Sequence, residues 1–173
     1  MNEGDQIDRP AGMSPEATAH IPVMPDEVLA NLQPRPGETH CDCTTGTGGH
    51  AILIREAMRG AGTLIAIDRD PEMLERAKRR FRDKGVESES IRWVVGSFAD
   101  LDSHLAGLGI ERIDGALFDF GLNTIQLDDP GRGFTFAAEG PLDARFSREE
   151  AIPTLADRLA AIAPQQLEEA LRA

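Results

Sequence analysis

The 173-residue sequence predicts an α/β fold, a parallel sheet with helices on both faces. Three observations predict it. Short β-rich apolar runs alternate with stretches of helical periodicity at the spacing of strand–helix–strand units. A glycine-rich loop follows the first run directly. Acidic residues (Asp42, Asp68 and Asp119) stand at the carboxyl ends of the first, second and fourth runs.

The elements follow in order. Residues 25–32 suit a short helix with Asp26 near its start, and Pro34, Pro36 and Gly37 then break the chain. The first strand spans 39–43. Ile52, Leu53 and Ala57 carry helical periodicity that ends at Gly60 and Gly62. Residues 63–67 are a β-rich run closed by Asp68. Pro71 suits a first helical turn, and Met73, Leu74, Ala77 and Phe81 form the buried stripe of the helix it opens. A third strand at 91–95 runs into Gly96, and Leu101, Leu105 and Leu108 mark the next helix. Residues 113–118 form a fourth strand. Residues 121–147, rich in Gly, Pro and Asp, read as loop, and Pro164 splits two helices at 155–163 and 165–172. Right-handed crossovers leave a Rossmann-like open sheet as the simplest topology.

Bulk properties narrow the function classes. Residues 1–19 lack a basic-then-apolar signal pattern and read as a flexible leader, and no apolar run approaches the ~20 residues of a membrane span. A cytoplasmic protein is expected. The formal charge of −12 argues against gripping nucleic acid by bulk electrostatics. The one basic cluster, Arg76, Lys78, Arg79, Arg80, Arg82 and Lys84, reads as a solvated helix face, with Glu72 and Glu75 four residues before Arg76 and Arg79. Cys41 and Cys43 lie two apart on a strand, a spacing that disfavours a disulfide, and read as buried, reduced thiols. His50 has no partners at zinc-like spacing, so no metal is expected.

Ligands of open parallel sheets bind beyond the carboxyl ends of the strands. There the chain places the loop from Thr44 to His50, then Asp68, suited to two ribose hydroxyls, then Phe98, suited to an adenine face, and Asp119. Gly46-Thr47-Gly48-Gly49-His50-Ala51 also satisfies the dinucleotide fingerprint, with Asp68 about 20 residues on, so an NAD-dependent oxidoreductase stays open. Two features weigh against it. Asp42 precedes the glycines as if to meet a cationic amino-acid ligand, and the adjacent Gly48-Gly49 gives no reason of its own to expect a diphosphate.

From residue 20 to about 145 the chain resembles the MraW/RsmH family of 16S ribosomal RNA cytidine N4-methyltransferases. The resemblance rests on His20-Ile21-Pro22-Val23-Met24, on Thr44-Thr45-Gly46-Thr47-Gly48-Gly49-His50 and on Ala66-Ile67-Asp68-Arg69-Asp70-Pro71. It also rests on Gln126-Leu127-Asp128-Asp129, on Arg132-Gly133-Phe134-Thr135-Phe136 and on Gly140-Pro141-Leu142-Asp143. It implies a class I methyltransferase fold that uses S-adenosyl-L-methionine, with 16S ribosomal RNA or the small ribosomal subunit as partner. Gly48, Gly49 and His50 would contact the methionine end, Asp68 the ribose, and Phe98, Asp119 and Gln126 would complete the pocket. Asp119 and Asn123 are both candidates for orienting the target amine.

Two departures stand out. Where the family usually reads Leu-Gly-Val-Ser-Ser-Pro, this chain has Phe120-Gly121-Leu122-Asn123-Thr124-Ile125. The resemblance also implies a longer protein, so residues 20–150 read as the cofactor domain, incomplete at its C-terminus, and 151–173 as the start of a helical substrate-recognition insertion. A homodimer would cover the open edge of the fourth strand. A noncatalytic cofactor-binding remnant or paralogue is the second functional expectation.

Overall fold

The β-rich runs pair into one four-stranded parallel sheet in a computed structural model that describes residues 22–86, 89–149 and 151–172. The expected leader lies outside those residues. In chain order the elements are α1 (Pro25–Leu32), β1 (Thr39–Asp42), α2 (Gly49–Ala57), β2 (Thr63–Asp68), α3 (Pro71–Asp83) and β3 (Ile91–Val95). There follow α4 (Leu101–Gly107), β4 (Gly115–Leu117), α5 (Thr124–Asp128), α6 (Leu155–Ala161) and α7 (Pro164–Arg172). The strand order is β3-β2-β1-β4, which confirms the Rossmann-like expectation.

Burial explains why β2 is central. Leu64, Ile65, Ala66 and Ile67 are all fully buried, as a strand covered on both faces requires. Leu64 and Ala66 meet Ala51, Ile54, Met58 and Phe81 from α2, the turn after it and α3. Ile65 and Ile67 join Cys41 and Cys43 on the opposite face, under Leu101, Leu105 and Leu108. Phe81 meets Trp93 edge to face, with ring centroids 5.3 Å apart, and closes the first layer. Asp70 starts α3 by accepting from the Glu72 amide at 3.0 Å, and Pro71 needs no amide in the first turn. All four residues of the expected stripe are buried.

Some elements differ from the sequence reading. β4 is shorter than 113–118, because its ladder with β1 runs only from Gly115 to Leu117. α5 lies inside the stretch read as loop, and a capping box forms it: the Asn123 side chain accepts from the helix start while Gln126 reaches back. The two helices expected around Pro164 are present, with α6 ending at Ala161 and Pro164 itself the first residue of α7. The cysteines are free and buried, with their sulfurs 3.3 Å apart. Among the described residues no helix is long and apolar enough to cross a membrane.

Candidate functional site

The loop after β1 prolongs the sheet before it turns away. The Cys43 amide donates to Leu117 O and the Thr45 amide to Ile67 O, both at 2.9 Å, so the loop is held between β4 and β2. The Asp119 amide donates to Thr44 Oγ1 at 2.7 Å, and the Gly96 amide to Asp68 O at 2.9 Å. These bonds gather the ends of all four strands around one cleft of about 520 Å³. Gly46, Asp68, Phe98, Asp119, Asn123 and Gln126 are among the residues that line it.

Asp68 is locked in place. Its Oδ2 accepts from the Gly46 amide at 2.6 Å and its Oδ1 from the Asp70 amide at 2.9 Å, while burial pushes its carboxyl up. Each carboxylate oxygen retains a lone pair for a further donor. Phe98 sits on a 3-10 turn that Ser97 starts, and its ring belongs to an exposed aromatic rim with Phe118 and Phe120. Asp119 is half exposed, with its Oδ2 3.7 Å from Nε2 of the buried His50. Gln126 is buried rather than an exposed loop amide. Its Oε1 accepts from the Asn123 amide at 3.1 Å and its Nε2 donates to Asp70 Oδ2 at 2.9 Å.

Two of the expected residues have a packing reason of their own. Gly48 has φ of 81°, and a Cβ there would lie 3.0 Å from Ala77 Cβ and 3.3 Å from Phe81 Cε2. Its missing side chain lets α2 approach α3. A Cβ on Gly49 would lie 3.2 Å from Pro22. Among the loop glycines it is Gly46 that lines the cleft.

The electrostatics are acidic. Asp68 and Asp119 line the cleft against one cation, Arg69, among the described lining residues. Asp42 lies at the head of the same loop, almost wholly buried. Its Oδ1 accepts from the Thr44 amide at 3.2 Å, whereas Oδ2 has no hydrogen-bond partner. Burial pushes its carboxyl up to about 7, with the charges of Asp68 and Asp119 adding to the effect. Asp42 stands behind the cleft wall rather than on it.

Sequence reasoning missed a buried ionic cluster beside the cleft. Arg132 Nη1 lies 2.7 Å from Asp70 Oδ2, and its Nη2 donates to Glu72 Oε2 at 2.7 Å. Nη1 also donates to the Phe146 carbonyl at 2.9 Å. Contacts spanning some sixty residues leave no periodic trace, although Asn123 and Gln126 at capping-box spacing did carry a signal. The basic face of α3 is paired as expected at Glu72–Arg76, but Glu75 takes Lys78 at 2.6 Å rather than Arg79.

Comparison with known proteins gives the chain a family. The model of the MraW methylase family matches residues 17–173. Ribosomal RNA small subunit methyltransferase H of Syntrophotalea carbinolica is 43% identical over 155 residues, covering 90% of this chain and 48% of its own length. The protein of the same name from Geobacter sulfurreducens is 46% identical over 129 residues, covering 75% and 40%. The chain thus spans about half the length of the curated relatives it matches. The chain belongs to the MraW methylase family, S-adenosylmethionine-dependent methyltransferases built on a Rossmann-like sheet.

Proposed function

We propose that this chain is the cofactor-binding part of a cytoplasmic methyltransferase that transfers a methyl group to N4 of a cytidine in 16S ribosomal RNA. The observation that carries the reading is the acidic cleft at the strand ends, lined by Asp68 and Asp119 against the single cation Arg69 among the described lining residues. S-adenosylmethionine brings a sulfonium and an ammonium, so Asp119, Asp68 and the field of Asp42 suit it. NAD would bring a diphosphate into the same acidic field, and Gly48 faces α3 rather than offering its open side to a phosphate.

When bound, the sulfonium supplies an activated methyl group; the chain's task is alignment, which can supply much of the rate. Asp68 would hold the ribose hydroxyls, and the exposed edge of Phe98 the adenine. Asp119, with the buried His50 3.7 Å behind it, would face the methionine end, and Gly46 is the loop glycine on that wall. Gln126, on the cleft wall, would act by holding that wall in place, since both ends of its amide are engaged. Asp119 is the better placed of the two candidates to accept from the target amine, because the Asn123 oxygen already caps α5. A base could reach this rim only from single-stranded or splayed RNA.

Calorimetric titration with S-adenosylmethionine, its demethylated product and NAD tests the reading. Binding of the first two and not the third is expected; NAD binding alone would sink it. A noncatalytic cofactor-binding module is the second reading, favoured by the altered stretch at 120–125. Cofactor binding with no methyl transfer, even on a chain of the relatives' length carrying this stretch, would establish it.

A further inference from the structure

Arg132 is 2% exposed, Asp70 is 2% and Gln126 is 3%, yet neither Arg132 nor Asp70 lines the cleft. Burying such groups is costly, and a buried ion pair is weak evidence for stability; registry is its best-attested use. The bonds describe what is kept in register. The Asp70 amide holds Asp68 Oδ1, while Asp70 Oδ2 takes both Arg132 Nη1 and Gln126 Nε2. Gln126 Oε1 in turn takes the Asn123 amide at the start of α5, and Arg132 holds the carbonyl of Phe146. Asn123 and Phe146 both stand on the cleft wall. A continuous path therefore runs from the expected ribose acid at the end of β2 to the wall built after β4.

We infer that Arg132 and Gln126, acting through Asp70, are positioning residues that tie the wall after β4 to Asp68, so that filling the ribose site rigidifies the side of the cleft where the substrate base must be aligned. The inference rests on the cofactor reading above. Arg132 suits this role because a planar guanidinium can serve Asp70, Glu72 and a carbonyl at once, whereas a lysine ammonium is a point charge on a flexible stem. Coupling of this kind is reciprocal: whatever orders the wall tightens the cofactor by the same factor.

The test compares the parent chain with Arg132→Lys and Gln126→Met, which remove the fork and the amide while keeping bulk. Circular dichroism and thermal melting establish that each is folded. Amide hydrogen exchange at residues 123–132 is then followed with and without S-adenosylmethionine, beside calorimetric affinity. In the parent, the cofactor should slow exchange across this segment. In both variants that cofactor-dependent slowing should shrink severalfold, with affinity falling about three- to tenfold, the scale of one lost hydrogen bond. A merely structural role would change exchange with and without cofactor alike. Two folded variants that bind and slow as the parent does would overturn the inference alone. A parent that fails to bind S-adenosylmethionine would overturn the cofactor reading and the inference with it. Arg132→Ala is avoided because it leaves the buried Asp70 without its cation, although Glu72 keeps Arg76, and so invites misfolding.

Discussion

Replacing Gly48 by Ala separates two accounts of the glycine loop. If Gly48 exists to let a ligand approach the backbone, alanine should damage binding and spare the fold. If it exists to let α2 approach α3, the fold should suffer first. The structure favours the second account. At φ of 81° an alanine pays about 1–2 kcal/mol for the left-handed backbone. Its methyl would also sit 3.0 Å from Ala77 Cβ and 3.3 Å from Phe81 Cε2, two fully buried groups. Overpacking of that kind costs about 1–3 kcal/mol. The sum, about 2–5 kcal/mol, is a large share of the 5–15 kcal/mol typical of a domain. At about 2–4 °C per kcal/mol for a chain of this size, the melting temperature should fall by about 4–20 °C. Thermal melting and urea titration read the stability, and calorimetry below the new transition reads S-adenosylmethionine affinity. A variant that melts within a degree of the parent but binds cofactor more than tenfold more weakly would refute the packing account.

Asp68→Ala should lose about ten- to a hundredfold in cofactor affinity, the worth of a charged hydrogen bond, and unchanged calorimetric binding would remove Asp68 from the ribose. Asp42 gives a pH prediction. Its folded carboxyl sits near 7 against an ordinary 3.8, so its contribution is fully favourable below pH 4 and is lost as pH rises through 7, by about 4 kcal/mol. Asp42→Asn should therefore melt higher relative to the parent at pH 8 than at pH 4, and an equal offset at both would count against an ionising Asp42. Filter binding to single-stranded RNA should be feeble and show a shallow salt slope, since each neutralised phosphate adds only about −0.7. A slope of several units, abolished when Arg79, Arg80 and Lys84 become Ala, would make α3 an RNA surface. Transfer of labelled methyl groups to small-subunit RNA by these 173 residues alone should be weak or absent, and robust transfer would show that the altered 120–125 stretch positions a base well enough.

The sheet was legible because its signals are local. Leu64 to Ile67 form an unbroken apolar run between turn residues, and Met73, Leu74, Ala77 and Phe81 repeat at helical spacing, so each element declares itself within a few residues. The gathering of Asp68, Phe98 and Asp119 was legible for a different reason: parallel strands put all their carboxyl ends on one side. What escaped was tertiary. Nothing near Arg132 in sequence foretells that it is buried against Asp70 and Glu72, and nothing near Gly48 says that Ala77 and Phe81 fill the space beside it. Residues 121–147 looked structureless because α5 is five residues long and too short for periodicity to appear; only its capping chemistry was written locally.

That capping chemistry changes how the departure from the family pattern reads. Serines and a proline of the family pattern give way here to Asn123, Thr124 and Ile125. Asn and Ser are comparable helix caps, and Asn123 Oδ1 duly accepts from the Ile125 amide at 2.9 Å. Ile125 stands at the second helical position, where a proline is tolerated but not needed. The turn that starts α5 is therefore encoded by different residues rather than erased, and Gln126 still ties it to Asp70. The consequences fall on side chains instead. One hydroxyl gives way to the Asn123 amide while Thr124 keeps the other, and Phe120, 71% exposed, adds a ring 5.3 Å from Phe98. The turn is thus capped without those residues, while the rim of the proposed base site carries different side chains. Cofactor affinity and methyl transfer should accordingly separate in this chain, with the first retained and the second impaired.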